Sequence, residues 1–529
     1  MYYNNFYYKF IINNSFNNFN KNLIDYISGF YSENEFKIFR LQLGLYRQNI
    51  SYMNRVAVHC GNLNFNQLIN LSYLSIFYDK KYFHFTTRTN IQFNFIKLLN
   101  FFEFLKKLNF SFLHPIQTSG NCVRNITSSN KDSLMILSWG ELVRQWFNLN
   151  FEFLFLPRKF KISILNQKKD DTFLKIHDLG FFIKKNSLNK IIFNIVVGGG
   201  LGRTPLMGLY VLTNLHWKNI LNYSDKLIRI YNIYGFRNNI YKSRIKILIK
   251  CLGVNSYIKF LNKEFNYSNK IIFVINEKEI NFFFFKDFIF KNNNKFSKKI
   301  IFNFFFLNWL KSSYKNNFIF IPIKNNNKSP GDINIFQIKI LYLFFQDFEK
   351  LKILNRQNIV FLKYLNIYTI YLKLKKYFFN IFNYNFLTDI ISCPGKDYCV
   401  LANAKSISIS KIIQSTFTDF NSLNKMFSIY LNISGCINSC GHHHIGNVGF
   451  LGVNKYNNNW YQLFLNNNIN NYNNLIFSKN LLSSFIYFKL IFYLIKILKS
   501  ILINEKKIFF NDYYYFFKFQ KNLSFKIYK

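Results

Sequence analysis

Apolar and polar positions along the chain run through one order of elements twice. In the first half, RVAVHC predicts a strand, NFNQLINLSYLSIFYD a helix and FHFTTRTNIQF a second strand. In the second half, NFIFIPI predicts a strand, INIFQIKILYLFFQDFEK a helix and LNRQNIVFL a strand. Both late strands contain R-x-N-I-x-F, built from Arg88, Asn90, Ile91 and Phe93 in one copy and Arg356, Asn358, Ile359 and Phe361 in the other. A polar loop with a cysteine follows each, at Cys122 and at Cys393. One hexapeptide could match by chance, but the shared order of strand, helix, strand and cysteine loop argues for duplication. The expected fold class is therefore α+β, with two halves related by a pseudo-two-fold and a cofactor between them. Cys122 has no second cysteine beside it and reads as a packed thiol.

Alternation also sorts the polar side chains. On a strand starting at Arg88, residues Arg88, Asn90, Gln92 and Asn94 share one face, and Thr89, Ile91, Phe93 and Phe95 the other. The second face is core; the first is a row of donors headed by an arginine, suited to anions. In LPRKFK the same rule puts Lys159 and Lys161 on one face and Arg158 and Phe160 on the other. Arg124 follows a Gly-containing turn in TSGNCVRN. Each basic residue taken alone reads as a surface charge.

The glycine run in KIIFNIVVGGGLGRTP ends a strand. A dinucleotide fingerprint counted from Gly198 ends on Arg203, and counted from Gly200 on Pro205, so that reading fails on spacing. No GK[ST] follows, so a phosphate-binding P-loop fails too. Glycines after a strand still allow backbone N–H groups to approach an anion.

A chain of 529 residues, half of them apolar, is expected to hold two or more cores. Its formal charge of +45 resembles that of a nucleic-acid binder. The same chain is rich in Phe, Ile, Asn, Lys and Tyr, which share A/T-rich codons, so the lysine excess reads as a solvated basic surface with no dedicated nucleic-acid role. NNWYQLFLNNNINNYNNL and FKNNNKFSKK read as expanded loops. The apolar stretch Leu481–Ile503 is broken by Lys489, Lys496 and Lys499 and reads as an amphipathic helix rather than a membrane span. The N-terminus lacks the compact apolar stretch of an export signal, so the expected compartment is the cytoplasm.

Four of the seven cysteines fall in two turn-rich loops: Cys393 and Cys399 in SCPGKDYC, and Cys436 and Cys440 in SGCINSCGHHH. Four thiolates suffice for one [4Fe–4S] cluster. Spacing alone leaves zinc and disulfides open, although zinc favours shorter gaps than C-x5-C and a reducing compartment disfavours disulfides. His442, His443 and His444 invite a metal-site reading, but three adjacent residues do not face one ion without an unusual backbone.

The segments around these residues decide between the alternatives. NISGCINSCGHHHIGNVGFLGVNK and CPGKDYCVLANAKSIS resemble the cluster-binding segments of the siroheme-dependent sulfite and nitrite reductases. FTTRTNIQFNFIKL, TSGNCVRNIT, FLPRKFKISI and VVGGGLGRTP resemble further segments of that family, in the same order, most nearly its bacterial assimilatory sulfite reductase hemoproteins. The resemblance runs from about Phe36 to about Leu465. It implies a siroheme and a [4Fe–4S] cluster, with Cys393, Cys399, Cys436 and Cys440 as cluster ligands and Cys440 shared with the siroheme iron. It implies Arg88, Arg124, Lys159 and Lys161 as the catalytic anion-binding residues. Asn121, Gly198, Gly199, Gly200, Gly202, Arg203 and Asn438 become cofactor-binding, and the histidines pack around the cofactor.

The implied activity is six-electron reduction of sulfite to sulfide, with nitrite as the alternative substrate. No flavin or nicotinamide motif is present, so electrons are expected from a separate flavoprotein reductase or ferredoxin. The expected organisation is an extension over 1–34, ferredoxin-like half-domains over 35–112 and 266–378, and siroheme- and cluster-binding domains over 113–265 and 379–529.

Overall fold

The computed structural model describes residues 6–48, 51–128, 134–148, 150–167, 171–188, 190–268, 314–315, 318–324, 328–345, 350–362, 367–377, 384–417, 429–455, 458–465, 479–480, 484–486 and 493–494. Strands fall into four sheets, which form two matching pairs.

The first pair is the duplicated unit. One sheet runs in the order Leu45–Arg47, Tyr52–Val56, Ile91–Ile96, Tyr82–Phe85 and Asp332–Asn334. Its counterpart runs Tyr314–Lys315, Phe318–Ile321, Ile359–Leu362, Lys350–Ile353 and Asn62–Asn64. Each sheet therefore ends on a strand supplied by the other half. Asp332 pairs with His84 and Ile333 with Phe83, while Leu63 pairs with Leu351. The donated strands lead directly into the two predicted helices, Phe65–Tyr78 and Ile335–Phe345. Both helices open on the same capping box. Asn64 and Gln67 exchange hydrogen bonds of 3.0 and 2.7 Å, and Asn334 and Gln337 exchange bonds of 3.1 and 2.9 Å. One apolar core runs through both units and includes Phe65 and Phe361, whose rings stack at 5.9 Å.

The second pair extends the duplication. Thr127–Ser128, Ile162–Leu165 and Leu179–Lys185 are neighbouring parallel strands, continued by antiparallel Ile191–Val197 and Leu209–His216. Ile391–Ser392, Leu431–Ser434 and Val448–Lys455 are likewise parallel, continued by antiparallel Asn458–Leu465. The mixture of helices with these sheets is the expected α+β architecture.

Several expectations need correction. FHFTTRTNIQF is a hairpin, not a single strand: its strands are Tyr82–Phe85 and Ile91–Ile96, with Arg88 in the turn between them. The alternation holds from Ile91 onward, where Ile91 and Phe93 enter the core; Arg88 is placed by the turn. Cys122 lies before the strand Thr127–Ser128, whereas Cys393 directly follows Ile391–Ser392, so the two cysteines are not in equivalent register. Cys122 is nonetheless buried, its thiol donating to the Ser119 carbonyl at 2.9 Å.

In the segment read as an Asn-rich loop, Asn458–Leu465 is a strand, paired along its length with Val448–Lys455. Phe485–Ile486 is also a strand, which breaks the helix expected over Leu481–Ile503; most of that stretch, and all of FKNNNKFSKK, lies outside the described residues. The N-terminus holds a helix, Phe6–Ile27, that the scattered asparagines hid. Its Ile12, Phe16, Phe19 and Leu23 recur at helical spacing and are buried in the shared core.

Candidate active site

Parallel pairing explains how two cysteine loops distant in sequence meet. Ile391–Ser392 and Leu431–Ser434 are adjacent and parallel, with Ser392 opposite Ile433. Their C-terminal ends therefore reach the same edge of the sheet, and the next residues are Cys393 and Gly435-Cys436. The loops interlock through glycine. Gly395 has φ +58°, and a side chain at Gly435 would strike the Ala404 carbonyl and Gly395 itself. With no Cβ there, the Gly435 carbonyl accepts the N–H groups of Asn403 (2.8 Å) and Ala404 (3.1 Å).

Cys393 and Cys436 are buried, Cys399 half-buried and Cys440 exposed. Cys440 bears electrostatically on each of the other three. Burial pushes the Cys393 thiol up to about 12 and raises Cys399 and Cys436. Donors already point at sulfur: the Gly435 N–H reaches Cys393 Sγ at 3.1 Å, and Asn438 Nδ2 reaches Cys436 Sγ at 3.5 Å. Among the described residues no three His, Cys, Asp or Glu side chains converge on a point that one ion could fill. Four thiols grouped in this way supply the donor set of one [4Fe–4S] cluster, and iron would relieve the cost of ionising them.

Basic residues from three segments face this edge. Thr87 Oγ1 donates to the Cys440 carbonyl at 2.9 Å and ties the Arg88 turn to the second cysteine loop. Arg88 donates to the Asn125 carbonyl at 2.6 Å; burial, and then Arg124, push its pKa down to about 9. Lys159 is pushed down to about 8 by burial, partly offset by Cys440, and Lys161 is pushed well down by burial and then by Arg88 and Lys159. These buried cations depress one another, and Asp178 beside Arg88 offsets them only in part, which leaves an excess of positive charge. Siroheme is a polycarboxylate and sulfite a dianion, so the residues present fit both.

Arg124 is held by its own loop, donating to the carbonyls of Thr118 (2.6 Å) and Gly120 (2.7 Å). Arg158 is half-buried, and its charge meets those of Arg244 and Arg124. The chain bends before the strand at this point, so alternation does not carry Arg158 to a remote face. Asn121 is exposed, and its carbonyl accepts the Leu156 N–H at 2.8 Å.

In the glycine loop, Gly198 donates its N–H to the Asp178 carbonyl at 3.0 Å, Gly199 packs against the 175–177 backbone, and Gly200 pairs with Leu206. Gly202 faces the Ile437 carbonyl between the two later cysteines. Arg203 is exposed, its guanidinium 5.1 Å from the Tyr241 ring centre. His442, His443 and His444 are buried. Burial, with Lys161 and Arg88, pushes His442 down to about 3; burial, with its neighbouring histidines, pushes His443 to about 2.

Three residues that organise this edge were not singled out from the sequence. Asp178, fully buried, binds Arg244 at 2.6 and 2.7 Å and accepts the Lys161 backbone N–H at 2.8 Å. With its carbonyl on Gly198, it joins the lysine strand, the glycine loop and Arg244. Lys246 donates to the Gly200 and Thr204 carbonyls at 3.3 and 2.5 Å. Arg244 and Lys246 flank Ile245 as Lys159 and Lys161 flank Phe160, a spacing that hints at pairing only once the site is known.

Comparison with known proteins finds related stretches in the first half of the chain. A family model for the nitrite and sulphite reductase 4Fe–4S domain matches residues 119–268, and one for the nitrite/sulfite reductase ferredoxin-like half domain matches 46–111. The chain is 24% identical over 221 residues to "Sulfite reductase [ferredoxin] 2" of Mycolicibacterium paratuberculosis, covering 40% of this chain and 39% of that protein. It is 24% identical over 252 residues to a "Sulfite reductase [NADPH] hemoprotein beta-component" of Staphylococcus haemolyticus (40% and 43% covered). It is 26% identical over 229 residues to a "Ferredoxin--nitrite reductase" of Synechococcus elongatus (40% and 44%). The matched stretches thus span about two fifths of these relatives' length. In fold, the chain is similar to the Mycobacterium tuberculosis NirA protein, with a TM-score of 0.72 at 18% identity over 91% of this chain and 90% of that one. Two stretches of the chain, 46–111 and 119–268, thus match domain models of the nitrite and sulphite reductase family, whose members use siroheme and a [4Fe–4S] cluster.

Proposed function

We propose that this chain reduces sulfite to sulfide in sulfur assimilation, at a siroheme joined through Cys440 to a [4Fe–4S] cluster held by Cys393, Cys399, Cys436 and Cys440. The observation that carries this reading is a cage of buried cations in excess of the nearby carboxylate, beside four grouped thiols. When bound, the cofactors would supply the electrons for the reduction. Lys159, Lys161, Arg88 and Arg124 draw in the anion and stabilise charge on its departing oxygens. Lysine ammonium groups, depressed toward neutrality, are suited to hand over protons as each oxygen leaves as water. For bisulfite the balance is six electrons and six protons in, with hydrosulfide and three waters out. Nitrite fits the same kind of cage, and one matched relative is named as a nitrite reductase.

Protein purified anaerobically from cells that make siroheme is expected to show haem-like visible bands and to contain iron and acid-labile sulfide. Turnover with a small-molecule reductant is expected on sulfite in preference to nitrite. Colourless protein containing zinc sinks the reading; faster turnover on nitrite moves it to the alternative.

The electron donor is a second protein, either a ferredoxin or a flavoprotein reductase. A cavity of about 450 Å³ opens beside the first cysteine loop, lined by Lys80, Lys81, Lys328, Lys411, Asp397 and Tyr398. The excess of cations suits an acidic partner. The triple variant Lys80→Glu, Lys328→Glu, Lys411→Glu is expected to slow turnover with a protein donor by roughly tenfold or more at low salt. Salt should slow the parent in the same way, because the Debye length is only about 8 Å at physiological ionic strength. Dye-driven turnover should change little in both cases. Equal losses with both donors would remove the docking role.

A further inference from the structure

Duplication lets the arginine turn be read twice. In the first half Thr89 has φ 56°, Thr86 donates its N–H to the Asn90 carbonyl at 2.9 Å, and Arg88 donates to the Asn125 carbonyl at 2.6 Å. In the second half Gln357 has φ 59°, Leu354 donates to the Asn358 carbonyl at 2.8 Å, and Arg356 donates to the Asp389 carbonyl at 2.9 Å. Asn125 stands just before the strand Thr127–Ser128, and Asp389 stands in the same register before Ile391–Ser392. Each side chain also meets the turn's asparagine: Asn125 Nδ2 donates to Asn90 Oδ1 at 2.6 Å, and Asn358 Nδ2 donates to Asp389 Oδ1 at 2.9 Å.

Opposite the arginine, the first half offers an amide and the second a carboxylate. Arg356 Nε donates to Asp389 Oδ2 at 3.2 Å, and its guanidinium lies 4.0 Å from the Tyr430 ring centre. Its charge is satisfied inside the protein. Among the described residues no carboxylate forms an ion pair with Arg88, and Asn125 Oδ1 is buried without a hydrogen-bond partner.

We propose that Asn125 is a specificity-determining residue of the anion site: an uncharged side chain here leaves Arg88 free for an external oxyanion, where a carboxylate would consume it as Asp389 consumes Arg356. The proposal rests on the reading of Arg88 as an anion-binding residue. A carboxylate at this place would compete intramolecularly with any dissolved anion, at the effective concentration of a tethered group.

The test uses holoenzyme and two ligands that report on the iron site through its visible spectrum: sulfite, which is charged, and carbon monoxide, which is not. Asn125→Asp is expected to weaken sulfite at least about tenfold while leaving carbon monoxide binding near its parental value; thermal stability should fall, because the amide's bonds to the Val58 carbonyl and Asn90 Oδ1 are lost. Asn125→Leu removes the amide without adding charge and should keep sulfite affinity within about threefold. Asp389→Asn should leave sulfite binding unchanged and lower thermal stability, because Arg356 loses its buried partner. Parental sulfite affinity in Asn125→Asp overturns the proposal, as does equal weakening of both ligands. If Asn125→Asp does not fold, Asn125→Leu decides: a loss as large as that of Arg88→Ala overturns it. Parental sulfite affinity in Arg88→Ala instead removes the anion role of Arg88, a separate failure.

Discussion

Cys440→Ser is expected to lose sulfite reduction entirely and to lose siroheme, or its electronic coupling to the cluster. The other three candidate ligands are partly or fully buried and held by their loops, whereas Cys440 is exposed at the cage edge. Its charge bears on Lys159 and Lys161 as well as on Cys393, Cys399 and Cys436. It is thus the one cysteine in electrostatic reach of both the thiol group and the basic cage. The backbone at this point is fixed from outside, by Thr87 on its carbonyl, so a serine hydroxyl would sit where the thiolate sits. Oxygen is a poor substitute for a soft thiolate on iron. The controls are Cys251→Ser, at an exposed position, and Cys60→Ser and Cys122→Ser, at buried ones. All three should keep both cofactors, and the buried pair should lose only stability. Full activity in Cys440→Ser would refute the shared-ligand assignment.

What the sequence disclosed depended on how local the cause was. The duplicated helices were legible because Asn64–Gln67 and Asn334–Gln337 are short-range capping pairs beside apolar runs. The cysteine loops are legible as turns because Pro394, Gly395 and Gly435 sit beside the cysteines. The reciprocal exchange of Asn62–Asn64 and Asp332–Asn334 was not, since a three-residue strand carries no period and its partner lies in the other half. Asp178 escaped for a related reason. Its three roles, on Arg244, Lys161 and Gly198, exist only after a sheet, a loop and a helix start have converged. The strand alternation that sets Arg88 at the head of a donor row is replaced by the hairpin turn. The place of Arg88 in the site comes from that turn and from Asn125.

Lys161→Met should keep both cofactors and their spectra yet reduce sulfite roughly a hundredfold more slowly, a loss of about 2–4 kcal/mol in transition-state stabilisation. The backbone at Lys161 is held independently of its side chain, by the Asp178 carboxylate on its N–H at 2.8 Å and by Leu179 on its carbonyl at 3.1 Å. Methionine preserves much of the apolar stem and removes the charge, so folding should survive. The effect belongs to the anion steps, because Lys161 sits among Arg88, Lys159 and Arg244 and adds charge where charge is already crowded. Arg158→Ala should fall between Lys161→Met and the parent, since its charge meets Arg244 and Arg124; an exposed lysine such as Lys190, changed to Ala, is the inert control.

The pH dependence has a definite sign. Lys159, lowered to about 8, is protonated below that value and neutral above it, and a bound anion favours the protonated form. Sulfite binding therefore takes up a proton, and parental affinity should fall as pH rises through about 8. Lys159→Met should flatten that part of the profile. Sulfide production with a small-molecule reductant, measured across this range, reads both effects without partner docking. Parental rates in Lys161→Met, or an unchanged pH profile in Lys159→Met, would show that this cage does not handle the substrate.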